Sequence, residues 1–128
     1  MNLLLDTHTL FWWLEAPEML SRVARSAIVA PENTVSVSIV NAWEMAIKVG
    51  SGRWPEAAEL VDAFEDEVAA EGFGVVGISI PHVRAAGLLL SKHRDPFDRL
   101  LAVQAMAESM TLVSADSSMA NLGAAVLW

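Results

Sequence analysis

The stretch Asn2-Leu3-Leu4-Leu5-Asp6-Thr7-His8 (residues 2–8) decides the fold, because it sets a short apolar run directly before a carboxylate. The leucine run has no polar face, as expected of a strand that is buried on both sides within a parallel sheet. Asp6 then stands where this strand ends and a turn begins. Proteins with parallel sheets collect their ligands at the carboxyl ends of the strands. The stretch therefore predicts an α/β fold and makes Asp6 a candidate site residue.

Predicted strands and helices alternate along the rest of the chain. The strands are expected at residues 2–5, 34–37, 73–80, 111–113 and 125–127. The helices are expected at residues 8–14, 21–30, 39–50, 56–71, 81–92 and 96–106, with a last short one after residue 116. Ser21, Ser38 and Asp95 are placed to cap three of them. No repeat and no linker divides the chain, so residues 1–128 are predicted to form one three-layer α/β/α domain with a mainly parallel central sheet.

The composition limits which kinds of chemical site the chain can contain and which cellular compartment is expected. The chain contains no cysteine, which excludes disulfides, thiolate zinc sites and thiol nucleophiles. The N-terminus lacks the basic region of a signal peptide, and no uncharged apolar stretch reaches membrane-spanning length. We therefore expect a cytoplasmic protein without a membrane partner.

Charge is distributed unevenly along the chain. The formal net charge is −8, which by itself argues against a nucleic-acid partner. However, seven acids lie between residues 56 and 71 with no basic residue among them, as expected of one solvated helix face. Basic side chains gather instead around Asp98, at Lys92, Arg94 and Arg99. These three are the candidate nucleic-acid-binding residues.

Four acids stand at predicted strand ends or near helix starts, and they are the candidate catalytic and metal-binding residues: Asp6, Glu44, Asp98 and Asp116. Each also has a purely structural interpretation. Asp6 and Asp116 are placed to cap helices, Asp98 lies in the first turn of a helix, and Glu44 is four residues before Lys48 and can pair with it. Their coincidence carries more weight than any single acid, because strand ends and the following helix starts converge on one edge of the sheet.

Carboxylates brought together in this way repel one another unless cations hold them ionised. Oxygen ligands without cysteine favour Mg²⁺ or Mn²⁺ over zinc. Two such ions, about 4 Å apart in typical two-metal sites, promote in-line displacement at phosphorus. His8 and His93 are interpreted as capping or surface residues and stay outside the catalytic set.

Several motifs resemble those of the PIN-domain endoribonucleases, and specifically the VapC-type toxins of bacterial toxin–antitoxin pairs. They are residues 4–8 (Leu-Leu-Asp-Thr-His), 43–48 (Trp-Glu-Met-Ala-Ile-Lys), 93–101 (His-Arg-Asp-Pro-Phe-Asp-Arg-Leu-Leu), 112–116 (Leu-Val-Ser-Ala-Asp) and 126–128 (Val-Leu-Trp). They span nearly the whole chain in the family's order. Ser114 stands where many relatives have threonine, and Asn41 replaces a frequent small residue.

The resemblance implies a function, a cofactor and partners. The acids at positions 6, 44, 98 and 116 would form a metal site for Mg²⁺ or Mn²⁺, supported by the hydroxyl of Thr7 or Ser114. The chain would cleave single-stranded or looped RNA, form a homodimer and be silenced by a cognate antitoxin protein. Asp95 would orient Asp98 indirectly, as the N-cap of its helix.

Two other classes of function remain open at this point. A phosphatase would use Asp6 as a covalent nucleophile, although the common aspartyl-phosphate enzymes carry a second Asp where this chain has His8. A non-catalytic partner-binding domain would use the aromatic run at residues 11–14, with the acids serving only as caps.

Overall fold

A five-stranded sheet forms the centre of the computed structural model, which describes residues 1–128. Its strands are β1 (Asn2–Leu5), β2 (Thr34–Ser38), β3 (Gly74–Val76), β4 (Thr111–Val113) and β5 (Val126–Leu127). They lie in the order β3-β2-β1-β4-β5, and every neighbouring pair is parallel. The predicted mainly parallel sheet is therefore confirmed, with β1 at its centre.

Helices cover both faces of this sheet. They are α1 (Thr7–Glu15), α2 (Arg22–Val29), α3 (Ile39–Gly50), α4 (Ala58–Asp62), α5 (Phe64–Ala70), α6 (Ile80–Leu88) and α7 (Pro96–Ala107). Short 3₁₀ turns are present at Pro17–Met19, Pro55–Ala57 and Ser117–Leu122. The predicted three-layer α/β/α architecture is confirmed. None of these helices combines the length and the apolar character that crossing a bilayer requires.

The leucine run of β1 separates two hydrophobic cores. Leu3 and Leu5 point into the core that α1, α2, α4 and α5 cover, whereas Leu4 points into the core beneath α6 and α7. All three leucines are fully buried. Alternating side chains of one strand thus fill both cores, which explains why this strand lacks a polar face.

Three helix starts that the sequence predicted are found at their expected residues. The hydroxyl oxygen of Ser21 accepts a hydrogen bond from the Ala24 amide, and that of Ser38 accepts one from Val40. The carboxylate of Asp95 accepts hydrogen bonds from the backbone amides of Phe97 and Asp98. These caps lie before α2, α3 and α7, and they fix where each helix begins.

Four details of the predicted strands and helices are wrong. The strand expected at residues 73–80 ends at Val76, and the following helix ends at Leu88 instead of near residue 92. Ser79 is its N-cap: it forms a reciprocal capping box with His82, so Pro81 is the second helical residue and not the first. The acidic helix expected at residues 56–71 is broken at Ala63 into α4 and α5. Local capping and turns override the apolar periodicity in each case.

The aromatic run at residues 11–14 is largely used inside the fold. Phe11, Trp13 and Leu14 pack against the core beneath α1. The ring of Trp12 lies 5.8 Å from that of the C-terminal Trp128. This helix therefore offers little unused aromatic surface for a partner.

Candidate active site

Two of the four acids follow the paired central strands. Leu5 of β1 is in register with Val113 of β4, and the Asp6 amide donates to the Val113 carbonyl at 3.1 Å. The carboxylate of Asp6 accepts a hydrogen bond from the Thr9 amide at 2.8 Å and caps α1. The capping role predicted for Asp6 is thus present. Its hydrogen bond from Thr9 holds one carboxylate oxygen at the carboxyl edge of the sheet.

Glu44 is the most buried of the four acids, with 5% of its surface exposed. The Thr7 hydroxyl donates to Oε1 at 2.5 Å, and Lys48 Nζ lies 2.7 Å from Oε2. The side-chain amide of Asn41 donates in turn to the Thr7 hydroxyl at 3.1 Å. Both carboxylate oxygens therefore have fixed partners, and Thr7 ties Glu44 to the residue next to Asp6.

Asp98 lies in the first turn of α7 beside His93, whose Nε2 is 2.8 Å from Asp98 Oδ2. Burial raises the pKa of Asp98 to about 6, the hydrogen bond to His93 offsets part of this rise, and the charges of Asp95 and Glu44 add to it. The influence of Glu44 on this pKa means that α3 and α7 bring two of the candidate acids within electrostatic reach of each other.

Asp98→Asn is expected to stabilise the metal-free protein at pH 7.5 and to change its stability little at pH 4. The pKa of Asp98 in the folded protein lies above its ordinary value of 3.8, so the folded state binds the proton more tightly and stability falls as pH rises through this window. Since the side chain is 25% exposed and partly screened, the gain at pH 7.5 is about 1 to 2 kcal/mol. Thermal melts in EDTA at both pH values measure it, with Asp66→Asn as the control; a lower melting temperature of Asp98→Asn at pH 7.5 contradicts the expectation.

Asp116 follows β4 and caps the 3₁₀ turn that comes after it. Its Oδ1 accepts hydrogen bonds from the Ser118 amide and hydroxyl, which lower the pKa of Asp116. The Ser114 hydroxyl oxygen accepts a hydrogen bond from the Asp116 amide at 3.1 Å. Ser114 thus supports Asp116 through its backbone. The charge of His93 also lowers the pKa of Asp116.

The four acids share this edge without forming a closed ligand set. Thr7 follows Asp6 in sequence and donates a hydrogen bond to Glu44. The charges of Glu44 and His93 both affect the pKa of Asp98. No group of three or more His, Asp or Glu side chains lies close enough together to hold a metal ion in the arrangement seen here. Hydrogen bonds within the protein hold oxygens of each carboxylate instead.

The basic residues near Asp98 differ from one another in their surroundings. Lys92, Arg94 and Arg99 line an open cavity of about 920 Å³ together with Gly87 and Ser91. The side chains of Lys92 and Arg94 are exposed. The guanidinium of Arg99, however, is half-buried and donates to backbone carbonyls of its own chain. Lys92 and Arg94 are therefore the cations that face solvent in this cavity.

Three residues of the site were missed or set aside on the sequence alone. His93 was interpreted as a surface residue, yet its ring contacts Asp98; its position five residues before Asp98, across the Asp95-Pro96 turn, was the available indication. Asn41 was noted only as a departure from related chains. Lys48 was foreseen as a partner of Glu44 but not as part of the site.

Comparisons with known proteins agree with this architecture. A family model described as PIN domain matches residues 3–125. Ribonuclease VapC22 of Mycobacterium tuberculosis is 31% identical over 117 residues, which cover 90% of this chain and 87% of that protein. A solved structure of VapBC2 from Rickettsia felis, bound to a DNA fragment from their promoter, matches with a TM-score of 0.71 at 17% identity over 98% of this chain and 97% of that one. VapBC-1 from nontypeable Haemophilus influenzae matches with a TM-score of 0.65 at 14% identity over 98% and 96%.

Proposed function

Because this chain belongs to the PIN domain family and is related to a VapC ribonuclease, we propose that it is a metal-dependent endoribonuclease and the toxin of a toxin–antitoxin pair. One observation carries the proposal: Asp6, Glu44, Asp98 and Asp116 all lie at the carboxyl edge of the parallel sheet, where such folds bind ligands. A set of structural caps alone would not need to bury Glu44 or raise the pKa of Asp98.

The donor chemistry of these residues suits Mg²⁺ or Mn²⁺, and side-chain movement would be needed to bring three of them onto one ion. The four candidate ligands are carboxylates, which hard divalent cations prefer. A cation among them would favour the ionised form of Asp98 and so offset the burial and neighbouring charges that raise its pKa. When bound, paired ions supply an activated water and stabilise charge on the phosphate during in-line displacement.

The residues around the four acids would orient them. Thr7 holds Glu44 Oε1, and Lys48 balances the charge on Oε2. Asp95 fixes the first turn of α7 by capping it, which sets the direction of the Asp98 side chain. The Ser114 hydroxyl oxygen fixes the backbone of Asp116 by accepting a hydrogen bond from its amide. Because each contact already restricts side-chain rotation, less conformational entropy would be lost when a cation and a phosphate bind.

RNA is the substrate class that we propose. The basic cavity adjoins α7, so Lys92 and Arg94 offer two exposed cations beside the Asp98 end of the site. Cationic side chains near a carboxylate site suit a phosphodiester backbone, which otherwise would be repelled by a chain of net charge −8. We propose that these two side chains bind backbone phosphates.

A cognate antitoxin is the protein partner that we propose. The solved structures that share this fold include VapBC pairs from two organisms, and the fold is retained over 97% and 96% of their matched chains. A protein that covers the carboxylate edge would silence the proposed activity. The homodimer that the sequence resemblance implied stays a prediction.

Two measurements test the proposed function. The purified protein is expected to cut bulk transfer RNA or a random-sequence single-stranded RNA in Mn²⁺ and to leave both uncut in EDTA. Calorimetric titration with Mn²⁺ is expected to show binding that Glu44→Gln and Asp98→Asn both weaken about tenfold or more, whereas Asp66→Asn on α5 leaves it unchanged. Binding that is indifferent to Glu44, together with uncut RNA, would favour the non-catalytic partner-binding interpretation.

A further inference from the structure

We infer that Arg99 is a positioning residue, which holds residues 89–95 so that His93 stays against Asp98, and that it does not contact RNA. The inference rests on the proposed function for its catalytic consequence. It differs from the simplest view of a basic residue beside a nucleic-acid site, in which Arg99 is a third phosphate contact. The position of its guanidinium decides between the two.

The guanidinium of Arg99 is surrounded by carbonyl oxygens from the last turn of α6 and from the segment between α6 and α7. Nε donates to Ala86 O at 3.0 Å, Nη2 to Leu89 O at 2.5 Å, and Nη1 to His93 O at 2.9 Å, with Ser91 O at 3.5 Å from the same Nη1. All three nitrogens are therefore engaged. A phosphate could replace these acceptors only if the segment moved away.

Few other contacts hold this segment. Residues 89–95 form neither helix nor strand, and Leu90 is 99% exposed. Asp95 holds the end of the segment by capping α7, and Leu89 packs at the edge of a core at its start. Between them, besides the contact of His93 with Asp98, there is one hydrogen bond, from the His93 amide to the Ser91 hydroxyl oxygen. Since little apolar burial fixes residues 90–94, the planar fork of Arg99 is their main anchor.

The anchor acts directly at the candidate active site. Arg99 is the neighbour of Asp98 on α7, and it holds the carbonyl of the same residue whose ring lies 2.8 Å from Asp98 Oδ2. Within the segment, Lys92 and Arg94 are exposed, whereas Ser91 and His93 are half-buried. One side chain thus fixes the backbone of the residue that contacts Asp98.

Arg99→Lys distinguishes an anchor from a phosphate contact, because it keeps the positive charge and loses the fork. A lysine ammonium cannot reach carbonyls on several sides at once. If Arg99 is an anchor, Arg99→Lys is expected to lower kcat in Mn²⁺ by roughly 10- to 100-fold and to leave KM within about twofold. A loss of this size is expected when a catalytic group is misplaced by about 1 Å. If Arg99 instead contacts phosphate, Arg99→Lys would retain most of the activity, and this result would overturn the inference.

RNA affinity in EDTA supplies a readout that does not need cleavage. Arg99→Lys and Arg99→Gln are expected to bind a single-stranded RNA with wild-type affinity and an unchanged salt dependence. The comparison variant, Lys92→Gln, is expected to lower the slope of log affinity against log salt by about 0.7, the loss of one phosphate contact. If Arg99→Gln lowers the slope by the same amount, the side chain binds phosphate and the inference fails.

Hydrogen exchange reports on the anchor itself and remains informative if the protein cuts no RNA. In Arg99→Lys, faster exchange of the His93 amide, which donates to the Ser91 hydroxyl oxygen, is expected, with β1 and α3 unchanged. Unchanged exchange in the segment overturns the inference. So does loss of the cooperative melting transition, because only this segment is assigned to the anchor. An uncut RNA with the wild-type protein contradicts the proposed function alone.

Discussion

Asp6→Asn is expected to reduce RNA cleavage on the order of 10³-fold while leaving the protein folded. The substitution removes the negative charge at the carboxyl end of β1, where a divalent cation would need it. It keeps an oxygen that accepts the hydrogen bond from the Thr9 amide, and Asn is as good an N-cap as Asp. Cleavage rates of a labelled RNA in Mn²⁺ and a thermal melt measure the two effects separately.

Asp66→Asn is the matched control for this result. It removes the same charge from an exposed position of α5, within the acidic face of residues 56–71, so wild-type cleavage is expected. A rate for Asp6→Asn within a fewfold of wild type would sink the proposed carboxylate site.

A second variant separates the ribonuclease from a phosphatase that uses Asp6 as its nucleophile. Both functions need Asp6, but only a metal site shared between α1 and α3 needs Glu44. Glu44→Gln keeps an acceptor for the Thr7 hydroxyl and removes the charge, and it is expected to lose cleavage as severely as Asp6→Asn. Trapping of a phosphoryl group on Asp6 with full activity in Glu44→Gln would instead support the phosphatase.

The features that could be predicted from the sequence are those that depend on neighbouring residues. The run of Leu3 to Leu5 identified the central strand, because a short run without a polar face is typical of a strand that is buried on both sides. Ser21, Ser38 and Asp95 identified three helix starts, since capping is a contact within four residues. The order of strands and helices then limited the fold to a three-layer arrangement.

The features that could not be predicted arise where local signals compete or where contacts join distant residues. The end of β3 at Val76 is set by the capping box that begins α6, which competes with an apolar run that suits a longer strand. The contacts of Arg99 could not be predicted either, because nothing in the sequence indicates that its guanidinium donates to carbonyls up to thirteen residues away. Charge placed Arg99 among RNA-binding candidates, and only the geometry separates it from Lys92 and Arg94.

That four acids share one edge of the sheet as a metal site stays a prediction, and the sequence does not indicate how they contact one another. Asp6 and Asp116 follow strand ends and Asp98 lies near a helix start, whereas Glu44 lies in the middle of α3. The link through Thr7 and the contact of His93 with Asp98 join residues that are 37 and five positions apart. Side-chain directions of this kind follow from packing, which a single sequence does not specify.

Asn41→Ala is expected to destabilise the protein by about 2 to 4 kcal/mol, the largest loss expected of a polar substitution near the site. The side chain is fully buried. Its Oδ1 accepts a hydrogen bond from the Ser38 amide at 2.7 Å, and its Nδ2 donates to the Thr7 hydroxyl at 3.1 Å. All buried side-chain polar atoms of the protein have partners, so this substitution would leave unpaired groups where water has no access.

The same substitution is expected to lower cleavage as well as stability, because the two effects share one cause. The Thr7 hydroxyl that receives the Asn41 hydrogen bond donates to Glu44, and without Asn41 it can rotate away from that carboxylate. Asn121→Ala, at an exposed position, is the matched control and should stay within about 0.5 kcal/mol of wild type. Urea unfolding gives the first quantity, and the cleavage rate at a temperature where Asn41→Ala is fully folded gives the second. A stable Asn41→Ala, or one that is destabilised but cuts RNA at the wild-type rate, would show that Asn41 does not connect the start of α3 to Glu44.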